Sequence, residues 1–193
     1  MCLLLFSAAH ALSPPPATAA NDEAARVTSA VRRAFGAGVE VETEHHPYFL
    51  TGDLNGDRFR DLVVVVRLKV SSGKLAKGVA VLNPWKIQRT ASSSPSGLAL
   101  AILHGGREGW EGTPLRRYLL TDRDFFASPM WQASTPKDLI GLVRKPRATR
   151  QGRRLLPRPA KGDAIRVATE AGIDTFLYWD GKAYRLYSPP EEP

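Results

Sequence analysis

The chain has 193 residues, 43% of them hydrophobic, with 27 basic and 19 acidic side chains, a net charge of +8 and a single cysteine. That composition suits one globular domain with a buried core. The cysteine is Cys2, so a chain that has lost its leading segment has no thiol, which excludes disulfides, thiolate zinc sites and cysteine nucleophiles.

Met1 to about Ala20 reads as a signal peptide. The apolar run from Cys2 to Leu12 is too short for a bilayer core of roughly 30 Å, and Ala17-Thr18-Ala19 supplies the small residues a signal peptidase requires. The expected location is periplasmic or secreted, with no transmembrane segment. Asn21 to Phe35 then has the pattern of an amphipathic helix. Asn21 caps it, Asp22 and Glu23 sit in the first turn, and Arg32 and Arg33 lie in the last. Val27, Val31, Ala34 and Phe35 recur at helical spacing as one apolar stripe, and Gly36 and Gly38 end the helix.

From Val39 the period changes to two, and Val39 to Glu44 reads as a half-exposed strand. His45 and His46 follow; neighbours on an extended chain point to opposite faces, so the pair cannot grip one metal together. The most informative stretch is Thr51 to Leu68, TGDLNGDRFRDLVVVVRL. Its oxygen-bearing side chains, Asp53, Asn55, Asp57 and Asp61, alternate along a tight loop, and the Phe59 backbone carbonyl falls between the last two. A hard cation such as calcium takes that donor pattern from a loop.

The run D-L-N-G-D-x-x-x-D-L-V-V-V resembles the calcium loop of FG-GAP and VCBS-type repeats, over Asp53 to about Val66. The resemblance implies a loop joining two antiparallel strands, with Asp53, Asn55, Asp57, Phe59 and Asp61 holding one Ca²⁺. Arg58 stands where that family usually has glycine. A left-handed conformation there costs roughly 1–2 kcal/mol, so the expected affinity is weak, on the order of 10⁻⁴–10⁻³ M. The same residues also make a metal-free Asp/Asn/Gly turn. No second copy of the motif follows, so a propeller is not expected.

Val63 to Val66 shows no alternation, the mark of a strand buried on both faces. Gly78 to Leu82 reads as its antiparallel partner, and Leu98–His104, Arg116–Thr121 and Leu139–Val143 as further strands. Asp122 to Pro136 reads as irregular, with Phe125, Phe126, Met130 and Trp131 plugging the end of a core or lining a binding mouth. Glycines between Gly105 and Gly112 do not open a helix, so they form no phosphate cradle, and no Gly-x-Ser-x-Gly elbow exists.

Arg144 to Lys161 carries Arg144, Lys145, Arg147, Arg150, Arg153, Arg154, Arg158 and Lys161 with no acid among them, a charge equal to that of the whole chain. Such a segment can meet an anionic envelope polymer or a lipid headgroup, or can be a solvated loop. No aromatics interleave with its arginines, which argues against nucleic acid. Ala164 to Thr169 is a strand, and Thr175–Trp179 and Ala183–Tyr187 flank Asp180-Gly181 as a hairpin.

The expected fold is α+β: the N-terminal helix packed on a mostly antiparallel β-meander of about seven to nine strands. Its divisions are a signal peptide at 1–20, one domain at 21–188 with a basic irregular loop at 144–162, and a disordered tail at 189–193. The expected function is an exported, calcium-stabilised binding or structural domain. The alternative is an extracytoplasmic hydrolase with catalytic carboxylates among Asp53, Asp57, Asp61, Glu108, Glu111, Asp122 and Asp124.

Overall fold

The computed structural model describes residues 17–69, 75–85, 97–132, 138–145, 155–169, 171–173 and 175–189. Helix α1 (Ala17–Phe35) begins before Asn21, so Asn21 is not its cap. Its buried stripe is Val27, Ala30, Val31, Ala34 and Phe35, at the spacing of one helical face. Gly36, at φ 89°, ends it, donating its N–H to the Arg32 carbonyl at 3.0 Å.

Ten strands among the described residues form two sheets. The first contains β1 (Val39–Val41), β2 (Phe49–Gly52), β3 (Asp61–Leu68), β4 (Val79–Leu82), β5 (Gly97–His104) and β6 (Arg116–Leu120). Its order is β1-β3-β5-β6-β4, with β2 also paired to β3. The second contains β7 (Ile140–Val143), β8 (Ala164–Val167), β9 (Thr175–Trp179) and β10 (Tyr184–Tyr187) in the order β10-β9-β8-β7. Between the sheets in sequence lie two single turns of helix, α2 (Arg123–Phe126) and α3 (Pro129–Gln132).

This corrects the expected α+β meander. The chain is mostly β, its strands divide between two sheets, and only the second sheet is a simple meander. β4 is not the antiparallel partner of β3; it lies parallel to β6, with Val79 opposite Arg117 and Leu82 opposite Leu120. The physical reason lies in β3, whose Leu62 to Val66 are fully buried. Leu62, Val64, Val66 and Leu68 pack with α1, while Val63 and Val65 pack with Ile140, Ile165, Val167 and Leu177 of the second sheet. A strand buried on both faces needs two covering layers. One helix supplies the first, and a second sheet supplies the other.

Strand ends sort into two poles. The β2–β3, β5–β6, β7–β8 and β9–β10 connections meet at one, joined by hydrogen bonds from Asp163 N–H to the Asp53 carbonyl (2.7 Å) and Lys161 N–H to the Trp179 carbonyl (2.9 Å). At the opposite pole Phe126 and Trp131 of α2 and α3 are buried, closing the space between the sheets as the aromatic-rich stretch suggested.

Candidate functional site

The β2–β3 loop links two antiparallel strands whose last ladder pair is Gly52 with Asp61. Inside it each polar side chain turns onto the loop's own amides. Asp53 accepts from Gly56 N–H (2.7 Å) and Arg58 N–H (3.0 Å), Asn55 from Asp57 N–H (2.9 Å), and Asp57 from Phe59 N–H (2.9 Å). The Asn55 amide also donates to Asp57 at 2.8 Å. Arg58 sits at φ 73°, the only non-glycine residue with positive φ among the described residues, at the position where the calcium-loop pattern has glycine.

In chemistry the donor set suits a hard cation, since carboxylate and amide oxygens that accept one N–H keep a second lone pair. In placement it is closed on itself. Among the described residues no three His, Cys, Asp or Glu side chains converge as a metal shell. Asp61 is the furthest from that role. It is fully buried, and its two oxygens accept from Leu54 N–H (2.7 Å), Asn55 N–H (3.2 Å) and Gly105 N–H (2.8 Å). Burial pushes its carboxyl up to about 7, against the pull of these amides.

Behind Asp61 lies a buried polar and aromatic cluster. His104 Nε2 is 2.7 Å from the Tyr184 hydroxyl, and Tyr118 and Trp179 pack around both. Burial lowers His104 to about 4 and raises Tyr184 well above the usual phenol range. Both groups therefore stay neutral, and a single hydrogen bond joins the imidazole to the phenol. The group has no opening to solvent; it ties the first sheet to the second. His45 and His46 part as expected: His45 is buried and donates to the Trp131 carbonyl at 3.0 Å, while His46 is exposed.

One residue that sequence reasoning missed joins the loop to the basic segment. Asp163 is 6% exposed, and accepts from Asp53 N–H (3.2 Å), Lys145 N–H (3.0 Å) and Arg144 Nη1 (3.2 Å). Lys145 Nζ donates to the Lys161 carbonyl at 2.8 Å, so the two ends of the basic connection are held together. Gly56 and Gly162 pack against this seam so closely that a Cβ on Gly56 would lie 2.4 Å from the Lys161 carbonyl oxygen. Of the eight predicted anion-binding residues, Arg144, Lys145, Arg158 and Lys161 are exposed, while Arg147, Arg150, Arg153 and Arg154 lie outside the described residues. Nothing in the Gly162-Asp163 dipeptide marks this role, because its partners are more than a hundred positions away in sequence for Asp53.

The remaining carboxylates are placed apart. Asp122 is buried, accepting from Phe125 N–H and the Asn83 amide, each at 2.8 Å, which caps α2 and fixes the end of β4. The side chain of Asp124 lies outside the described residues. Glu108 and Glu111 border a cleft of about 460 Å³ between α1 and the β5–β6 loop, with Trp110, Arg33 and Arg117. There Glu111 is paired with Arg26 at 3.0 Å, Arg33 donates to the Glu111 carbonyl at 3.1 Å, and Trp110 is buried against the helix. These contacts staple α1 to the sheet. At the opposite pole Trp85, Phe125, Met130, Ile173 and Leu186 line a largely apolar pocket of about 470 Å³.

Against known proteins, the chain matches no family model, no curated protein and no solved structure. No helix among the described residues is long and apolar enough to cross a membrane.

Proposed function

We propose that the protein is an exported binding or structural domain, stabilised by calcium at the Asp53–Asp61 loop, that meets an anionic envelope partner through the Arg144–Lys161 segment. The observation that supports a non-catalytic role is the use of its buried ionisable groups. Asp61, Asp122 and Asp163 hold backbone amides, Glu42 holds Arg67, and His45 and His104 hold a carbonyl and a phenol. None of them faces the cleft or the apolar pocket described above. Among the described residues the hydrolase alternative has the Glu108–Glu111 cleft, where one carboxylate is already ion-paired and both are exposed.

Calcium would be held by the oxygens of Asp53, Asn55, Asp57 and Asp61 and the Phe59 carbonyl, and would supply charge neutralisation to a loop with three carboxylates. The Asn55–Asp57 side-chain bond would have to open, and Asp61 would have to turn an oxygen away from its amides toward the ion. With a dissociation constant of about 1 mM, about 10 mM Ca²⁺ stabilises the fold by roughly 1.4 kcal/mol, a melting shift of about 3–6 °C. Asp57→Ala should erase that shift, and Arg58→Gly should enlarge it by relaxing the turn. Calcium that leaves both wild type and Arg58→Gly unmoved in a melting scan would show the loop to be a metal-free turn.

Export rests on the Met1–Ala20 segment, most of which lies outside the described residues. Among the described side chains of α1 the core-facing positions fall after it, from Val27 onward. Expression in a secreting host should give a mature N-terminus at Ala20 or Asn21. An intact Met1 on the soluble protein would remove the exported reading.

A further inference from the structure

We propose that the loop pole of the two sheets docks onto an anionic lipid surface, with Phe59 and Leu115 as apolar anchors. This rests on the reading that the Arg144–Lys161 segment meets an anionic partner, and it names that partner as lipid. Among the described residues the large apolar side chains left exposed are Phe59, Val81, Leu115, Leu155 and Ile173. Three of the five, Phe59, Leu115 and Leu155, belong to connections that meet at the loop pole, and Leu155 lies within the basic segment itself.

The loops that carry the first two both touch one turn. The Gly105–Gly109 turn is wedged between their loops. A Cβ on Gly109 would lie 3.6 Å from Arg60 Cβ, and one on Gly106 would lie 3.6 Å from Leu115 Cγ. Leu115 is 64% exposed and Phe59 38%, and Arg58, Arg60, Arg107 and Arg116 stand exposed beside them. Asp53, Asp57, Glu108 and Glu111 offset those four arginines, so the two loops alone have no electrostatic bias. The bias comes from the neighbouring seam, where Lys145 and Lys161 are joined and Lys161 lies against Gly181 of the β9–β10 turn.

Lone exposed apolar side chains are ordinary. Here the Phe59 loop abuts Lys161, which is joined to Lys145, and that pairing of apolar tip and cations suits a bilayer. A soluble polyanion can engage the cations but offers nothing to Phe59 and Leu115. A lipid surface offers phosphates to the cations and acyl chains to the apolar tips.

The test is co-sedimentation of the mature chain with phosphatidylcholine vesicles, with and without phosphatidylglycerol, alongside retention on heparin resin. The expected result is binding to phosphatidylglycerol vesicles only, falling with salt. Phe59→Ser combined with Leu115→Ser should weaken vesicle binding about tenfold or more while leaving heparin retention and the melting temperature unchanged. Val81→Ser, an exposed site on β4, should leave both unchanged. Heparin retention without vesicle binding, or a double variant that binds vesicles like wild type, overturns the lipid assignment and leaves the anionic-partner reading standing. Loss of both in the wild type overturns the two together.

Discussion

Asp61→Ala should cost the domain roughly 3–5 kcal/mol, because it leaves two buried amides and one part-buried amide without an acceptor, at about 1–3 kcal/mol for each buried one, offset in part by the burial cost of the lost carboxylate. Leu54 and Gly105 are buried together with Asp61, which is itself fully buried, while Asn55 is partly buried. Asp61→Asn should cost less than Asp61→Ala, since one oxygen still serves Leu54 and Asn55, but its NH₂ group meets the Gly105 N–H donor to donor and leaves that amide unpaired. Urea midpoints of the three proteins at one pH rank them. Equal midpoints for Ala and Asn would show that the amides find other acceptors.

The same carboxyl should write itself into the pH dependence of stability. Its folded value is raised by burial from 3.8 to about 7. The folded protein therefore binds more protons than the unfolded chain between these values, and stability falls as pH rises through that window. Asp61's contribution is fully present below about pH 4 and lost above about pH 7, with a slope of at most about 1.4 kcal/mol per pH unit. Asp61→Asn should flatten the profile between about pH 4 and about pH 7.

Gly162→Ala is the second large effect. Its Cβ would lie 2.1 Å from the Asp53 carbonyl oxygen, 2.6 Å from the Leu54 carbonyl carbon and 2.7 Å from Gly56 N. All three are backbone atoms, so no side-chain rotation relieves the clash; the β2–β3 loop must move away. That movement breaks the Asp163–Asp53 backbone bond and the Asp53–Asp163 side-chain bond, at 2.7 and 3.2 Å. Overpacking of about 1–3 kcal/mol plus two lost hydrogen bonds gives an expected cost of roughly 2–5 kcal/mol. Gly106→Ala, whose Cβ would meet only Leu115 at 3.6 Å, is the control and should stay within about 0.5 kcal/mol. A Gly162→Ala protein as stable as this control would mean that the seam is not rigid.

The legible parts of the fold were those written in local pattern. The stripe of α1, the doubly buried Val63–Val66 run and the Asp180-Gly181 hairpin each carry their geometry in neighbouring residues, and each appears where the pattern put it. The division into two sheets does not. Periodicity tells which faces of β3 are buried but not what covers them, and helix plus sheet gives the same pattern as two sheets. The four residues of β4 read alike whether the partner is parallel or antiparallel. α2 and α3 have four residues each, too few to show a helical period.

At the candidate site the Asp53–Asp61 loop and the left-handed Arg58 were readable for the same local reason. Asp163 was not, since its carboxylate acts between chain segments that sequence spacing cannot connect. Nor was the contact of the Phe59 and Leu115 loops with one turn, which depends on β3 and β5 being neighbours.

The parallel pairing of β4 with β6 imposes an order of assembly on a chain emerging from its N-terminus. Val79–Leu82 is made before β6, its only sheet partner among the described residues, and β6 in turn takes its place from β5. The apolar VAVL segment therefore waits, unpaired, while β5 joins β3 and β6 joins β5. Closing that long loop costs entropy before any ladder bond is gained. In the finished sheet β4 is an edge strand whose partner is made later than itself.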